Sequence, residues 1–174
     1  MSGNVRSSSD RRVERSRAAL VSAFGRLIQA RGFDDLTAAE VADAANVGRS
    51  TFYNHFAGLS DLLCAAVDPV LTPLANAAVD GDDPHLAAML DHVWENRVMG
   101  RKLLAGGDRR NLLHLLASKI EARLIERALS DAPLAALTAV RIAGGQLSLL
   151  EHWLSGRAPG SAAEVARVLR GACS

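Results

Sequence analysis

Arg49, Ser50, Thr51, Tyr53, Asn54 and His55 fall within seven consecutive positions, with only Phe52 among them. Their side chains share one property: each donates hydrogen bonds suited to phosphate oxygens or base edges. A helix that merely packs would fill its outer face with Glu and Lys. Other chemistries find no support. There is no Gly-rich phosphate loop, nucleophile elbow or pair of catalytic carboxylates. His85, His92, His114 and His152 lack the i, i+4 spacing to another His, Cys or chelating carboxylate that zinc sites use. The expectation is therefore no enzyme, no cofactor and no metal.

The elements that must position these donors are legible around them. From Asp10, a plausible N-cap, an apolar stripe of Val13, Leu20, Phe24, Leu27 and Ile28 predicts a helix to about Arg31, stopped by Gly32. Thr37-Ala-Ala-Glu40 is a capping box for a short helix to about Ala45 that buries Val41 and Ala42. Asn46-Val47-Gly48 makes the turn, and a third helix covers about Arg49 to Phe56. Phe52 and Phe56, four apart, mark its buried side. Two short helices across a tight turn, braced by a longer one, make a helix-turn-helix whose exposed donors face a major groove.

Residues 10–63 resemble the N-terminal DNA-binding domain of the TetR family of bacterial transcriptional regulators. The resemblance rests on Arg31-Gly32-Phe33, Thr37, Val41-Ala42, Ala45-Asn46-Val47, Thr51-Phe52-Tyr53-Asn54-His55-Phe56 and Asp61-Leu62-Leu63. It implies that Thr37 meets phosphate at its helix start, that Arg49, Ser50 and Thr51 enter the groove, and that Tyr53 and His55 hold backbone phosphates. Asn54 shares the outward face. Two positions depart from the pattern. Gly48 stands where Ser or Thr is usual, and Leu59 replaces the usual Lys, removing one phosphate contact.

Bulk composition fits this reading. The chain has 174 residues, 49% apolar and 22% charged, with few aromatics and few β-branched runs, which predicts an all-α protein. The net charge of +1 hides a skew: Arg6, Arg11, Arg12, Arg15 and Arg17 lie within twelve residues. This is either a phosphate-binding arm, with Arg11 and Arg12 on DNA, or a solubilising tail. Cys64 and Cys173 make no disulfide framework. With no signal peptide and no apolar run near ~20 residues, the expectation is a cytoplasmic protein.

The rest of the chain reads as further helices. One starts near Ser60 and should break at Asp68-Pro69; others span about Asp83 to Leu104, Asp108 to Leu129, Asp131 to Leu154 and Ser161 to Leu169 or Arg170. The expected organisation is a disordered basic arm (1–9), a three-helix DNA-binding domain (10–58) and a helical regulatory and dimerisation bundle (59–174). Met89, Trp94, Met99, Leu103, Leu112, Leu116 and Ile120 line either a ligand cavity or a packed core; the resemblance favours the cavity. The segment from 139 to 156 looks like the penultimate helix of many family members, which pairs across a two-fold axis. Ala139, Ala143, Gly144, Leu147, Leu150, Trp153 and Leu154 are then the expected dimer face, or else one side of a buried monomer helix. The function this implies is a ligand-released homodimeric repressor, with a palindromic operator, a second copy and a small apolar effector as partners. The competing class is a ligand-binding or protein-interaction module whose helix-turn-helix no longer touches DNA.

Overall fold

The structure is a computed structural model describing residues 4–33, 35–81, 83–106, 108–129 and 131–170, with side chains from residue 10 onward. All its regular elements among these residues are helices, and they form two compact units, residues 1–67 and 68–174. Cys173 lies outside the described residues; Cys64 is a free, half-buried thiol.

In the first unit, α1 (Asn4–Arg31) buries Leu20, Ala23, Phe24 and Ile28 against α2 (Ala38–Ala44) and α3 (Arg49–His55). α1 starts six residues before the expected start at Asp10, so residues 4–9 continue a helix rather than form a disordered arm. Val13, expected in the stripe, is 52% exposed. It precedes the part of α1 that the other two helices cover. α2 opens as the capping box demands. The Thr37 hydroxyl accepts from the Glu40 amide at 3.3 Å, and the Glu40 carboxylate accepts from the Thr37 amide at 2.9 Å. It ends with Asn46 at φ 54°, a left-handed residue after which the Val47 amide donates back to the Ala42 carbonyl.

α4 (Leu59–Asp80) is continuous, contrary to the expected break at Asp68-Pro69: Pro69 and Pro73 both lie inside it. Proline removes an amide donor and crowds the preceding turn. Here one apolar face continues past both prolines through Leu71, Leu74, Ala75, Ala77 and Ala78. Lys119 of α7 (Arg109–Glu126) also grips the proline-bearing stretch, pairing with Asp68 at 2.5 Å and donating to the Thr72 hydroxyl at 3.3 Å. α4 and α8 (Ala132–Leu154) are long and apolar enough to cross a bilayer by length and composition alone, which the sequence reading overlooked.

The single helix expected over 83–104 is two, α5 (Leu86–Glu95) and α6 (Arg97–Ala105), divided at Asn96. The division lets the two bury different faces: α5 packs on α9 (Ala162–Arg170) and α6 on α8. Gly100 makes that second contact, since a Cβ there would stand 2.8 Å from the Leu154 methyl. The cap residue Asp83 is buried, accepting from the His85 amide at 2.7 Å and from the Asn76 amide group. α7 and α8 form an antiparallel pair whose turn holds Ala128 at φ 51°. α9 begins with the second capping box, Ser161 to Glu164, as expected.

Two predictions follow from the caps. Ala128 sits in the left-handed C′ position of a helix-ending motif, with the Leu129 amide on the Leu124 carbonyl. Glycine carries no Cβ penalty there, so Ala128→Gly should stabilise the second unit by about 0.5–1 kcal/mol, read from urea midpoints. Glu40 titrates below the ordinary 4.5 because the Thr37 hydroxyl, then Arg31, hold its ionised form. Glu164 does so through the Ser161 amide, then its hydroxyl. A depressed folded value means stabilisation is present above the unfolded value and is lost as pH falls through the folded one. Amide exchange of α2 and α9 should accelerate on acidification below about 4.5, and Glu40→Gln should flatten the α2 profile alone.

Candidate nucleic-acid interface

α3 is seven residues long, too short to be stable alone, so its orientation is set by what it buries. Phe52 is fully buried and Phe56, its C-cap, nearly so, with ring centroids 6.0 Å apart. With that stripe inside, Arg49, Ser50, Tyr53 and Asn54 are exposed, and Thr51 and His55 are half-buried. Tyr53 is 60% exposed, yet its ring stands edge-on to Phe52 at 5.3 Å, which fixes the direction of its hydroxyl. Gly48 caps α3 in extended conformation, φ −70° and ψ 152°. A Cβ there would meet only ordinary contacts, so the departure from Ser or Thr leaves the backbone unstrained.

The expected residues on other elements divide. Arg11 and Arg12 are exposed on α1. Thr37 is exposed, but its hydroxyl donates to the Glu40 carboxylate at 2.7 Å and its amide donates there too. His55 reaches inward: Nε2 lies 2.7 Å from the Ser16 hydroxyl of α1, so one ring nitrogen serves to tie α3 to α1.

Four supporting residues escaped the sequence reading of the site. Ser16 is one. Arg17 covers the Phe56 ring at 5.3 Å. Arg31 pairs with Glu40 at 2.9 Å, and Arg26 donates to the Ala44 carbonyl at 3.4 Å, at the end of α2. Ser16 precedes Leu20 by four residues, so the helical period already placed it on the inner face. Leu59 lines an open depression of about 530 Å³, with Phe33, Leu36 and residues 57–61 as its walls. Apolar surface therefore stands where the family pattern has a cation.

In the second unit, the proposed cavity residues separate. Met89, Leu112, Leu116 and Ile120 are buried, Met99 and Leu103 half-buried, and Trp94 is 40% exposed. Trp94 stacks on Trp153 at 5.0 Å with Arg97 over its ring at 5.4 Å. The set forms core and rim rather than the lining of the depression described above. Among the described residues no cluster of His, Cys, Asp and Glu could hold a metal ion.

The expected dimer face needs correction. Ala139, Ala143, Leu147, Leu150, Trp153 and Leu154 are all at most 3% exposed within the single chain. They face the chain's own core because α8 turns that stripe toward α6 and α7. Trp153 also donates to the Gly160 carbonyl at 2.8 Å. Of the expected face, only Gly144 is partly open.

The sequence matches the model of the bacterial regulatory proteins, tetR family, over residues 20–66. No curated protein gives a significant match. Among solved structures, a TetR transcriptional regulator from Streptococcus agalactiae 2603V aligns at 23% identity with a TM-score of 0.62, covering 95% of this chain and 97% of that one. The dihydroxyacetone kinase operon activator DhaS aligns at 17% identity and a TM-score of 0.50, over 88% and 91%. These likenesses span both units and establish the fold. The helix-turn-helix of residues 20–66 belongs to the tetR family of bacterial regulatory proteins, and the chain takes the all-helical fold of TetR regulators.

Proposed function

We propose that this chain is a cytoplasmic, sequence-specific DNA-binding regulator acting as a homodimer on a palindromic operator, a repressor released by a small apolar effector in the second unit. The observation that carries the reading is the outward face of α3, where Arg49, Ser50, Tyr53 and Asn54 are exposed while Phe52 and Phe56 anchor the opposite side. Arg49 at the start of the helix is placed to meet a base edge; Tyr53 and Arg12 meet phosphates. No catalytic role is proposed.

The dimer face moves to the outer side of the α7–α8 hairpin. Ile125, Leu129, Leu134, Leu137 and Val140 are 46–72% exposed there. The same side of α8 continues into Gly144 and Gly145, where an added Cβ would meet nothing in this chain. Glycine inside a helix costs about 1 kcal/mol relative to alanine, and nothing within the protomer requires it at either position. Close approach of a second copy does. Movement of the effector-bound unit would change the separation of two recognition helices, which must match half-sites roughly 34–36 Å apart or a multiple of it.

Fluorescence anisotropy with duplex DNA from the region upstream of the chain's own gene tests the reading. Arg49→Ala should cost about 1–3 kcal/mol at one base position, whereas Tyr53→Phe should weaken all sequences alike. Deleting residues 1–12 should flatten the salt dependence, by about 0.9 in the log–log slope per lost phosphate contact. Absence of binding to any duplex at low salt would instead favour the reading of a binding module that has given up DNA, for which Leu59 speaks.

The interface has its own test. Gly145→Arg or Leu137→Arg should leave the fold intact and yield monomers in sedimentation analysis, with operator affinity collapsing because two half-sites are no longer tethered. Ala143→Arg, at 0% exposure, should instead destabilise the second unit by several kcal/mol. A dimeric Gly145→Arg protein would place the interface elsewhere.

A further inference from the structure

The hydrogen bond between His55 and Ser16 dictates more than packing. The Ser16 hydroxyl has one proton, and its oxygen lies 2.9 Å from the Val13 carbonyl and 3.1 Å from the Arg12 carbonyl, both of which can only accept. That proton is committed to the backbone of α1. At 2.7 Å from the same oxygen, Nε2 of His55 must therefore be the donor. A neutral ring with its proton on Nε2 carries a lone pair on Nδ1. Nδ1 has no hydrogen-bond partner among the described residues.

We propose that Ser16 is a positioning residue that makes DNA binding proton-linked. It holds the neutral His55 ring in the tautomer whose Nδ1 opposes a phosphate, so that His55 becomes a phosphate donor only as imidazolium. The inference rests on the DNA-binding reading above and deepens it. Each half-site takes one proton from solvent onto Nδ1 as the phosphate oxygen arrives; Nε2–H stays on Ser16, and no other bond changes.

The charged surroundings are mostly cationic. α1 presents Arg12, Arg15 and Arg17, the last over the Phe56 ring next to His55. α3 itself carries Arg49 and Tyr53. α2 brings Asp43 and Glu40, the latter already paired with Arg31. Asp61, at the start of α4, accepts from the Ala57 amide. No carboxylate among these bonds to the ring, so an incoming phosphate is the anion that would fix a proton on Nδ1.

The test uses the full-length protein and a random-sequence duplex at low salt, because a phosphate contact is independent of sequence. The wild type should lose about tenfold in affinity per half-site between pH 6 and pH 8, the range spanning an ordinary histidine. Calorimetry in buffers of differing ionisation enthalpy should register proton uptake on binding. His55→Gln should remove most of the pH dependence, which separates it from the histidines of the second unit. Ser16→Ala is the decisive variant. With no acceptor holding Nε2–H, the neutral ring can place its proton on Nδ1, so affinity at pH 8 should rise toward the pH 6 value; a merely structural contact would lower affinity at every pH. Circular dichroism confirms that the variant folds. Binding whose pH dependence survives His55→Gln, or survives Ser16→Ala, overturns the linkage while leaving DNA binding intact. No binding to duplex at any pH overturns the DNA-binding reading and the linkage with it.

Discussion

Burial of Phe52 is the constraint on which the recognition surface depends. α3 has seven residues, about half the length at which an isolated helix becomes even marginally stable in water. Its existence and its rotation are therefore consequences of where its two aromatic rings go. Burying each ring is worth about 1.5–3 kcal/mol, more than any single surface contact α3 makes. Because side chains four apart share a face, fixing Phe52 and Phe56 inward fixes Arg49, Ser50, Tyr53 and Asn54 outward together. A substitution that rotated α3 to relieve one of them would expose a phenylalanine.

The same logic explains why the neighbouring polar groups look inward. His55 and Thr51 flank the aromatic stripe and are half-buried. A half-buried imidazole needs a partner, and Ser16 supplies one at 2.7 Å. Thr37 is held likewise by Glu40, which Arg31 holds in turn. These bonds set the angle between the three helices; α2, also seven residues long, has little else to fix its start. Residues that resemblance assigns to phosphate contact thus carry a scaffold duty as well, and any contact they make with DNA uses what that duty leaves over.

Much of this was legible in the sequence because it rests on local rules. Both capping boxes, the glycine after α1, the left-handed Asn46 and the Phe52–Phe56 stripe depend on spacing of three or four residues, and each is where the pattern put it. What was not legible depends on partners distant in sequence. Pro69 and Pro73 read as a break because the Lys119–Asp68 pair and the continuing buried face of α4 are invisible locally. Asn96 divides a run that looks periodic throughout, since α5 and α6 answer to different neighbours. On α8 the apolar residues surround most of the helix, so periodicity could not say which side meets the core; Ala139 through Leu154 and Leu134 through Val140 were exchangeable until packing chose.

Charge gives the last step of the argument, and only after pairing is taken into account. A net charge of +1 says nothing of nucleic acid. In the second unit, however, the cations are largely occupied with structure. Lys119 pairs with Asp68, Arg123 and Arg127 both pair with Asp80 at 2.9 Å, and Arg109 and Arg157 share Glu151 at 3.6 Å. Those pairs stitch α7 to α4 and to α8. In the first unit, Arg31 makes an ion pair and Arg17 covers Phe56, while Arg12, Arg15 and Arg49 have no carboxylate partner among the described residues. A polyanion releases counterions in proportion to the phosphates that protein cations neutralise, and an arginine already bound to a carboxylate neutralises few. The free cations therefore lie on α1 and at the start of α3, in the same unit as the donors facing outward. The composition of the whole chain averages that separation away; the ion pairs restore it.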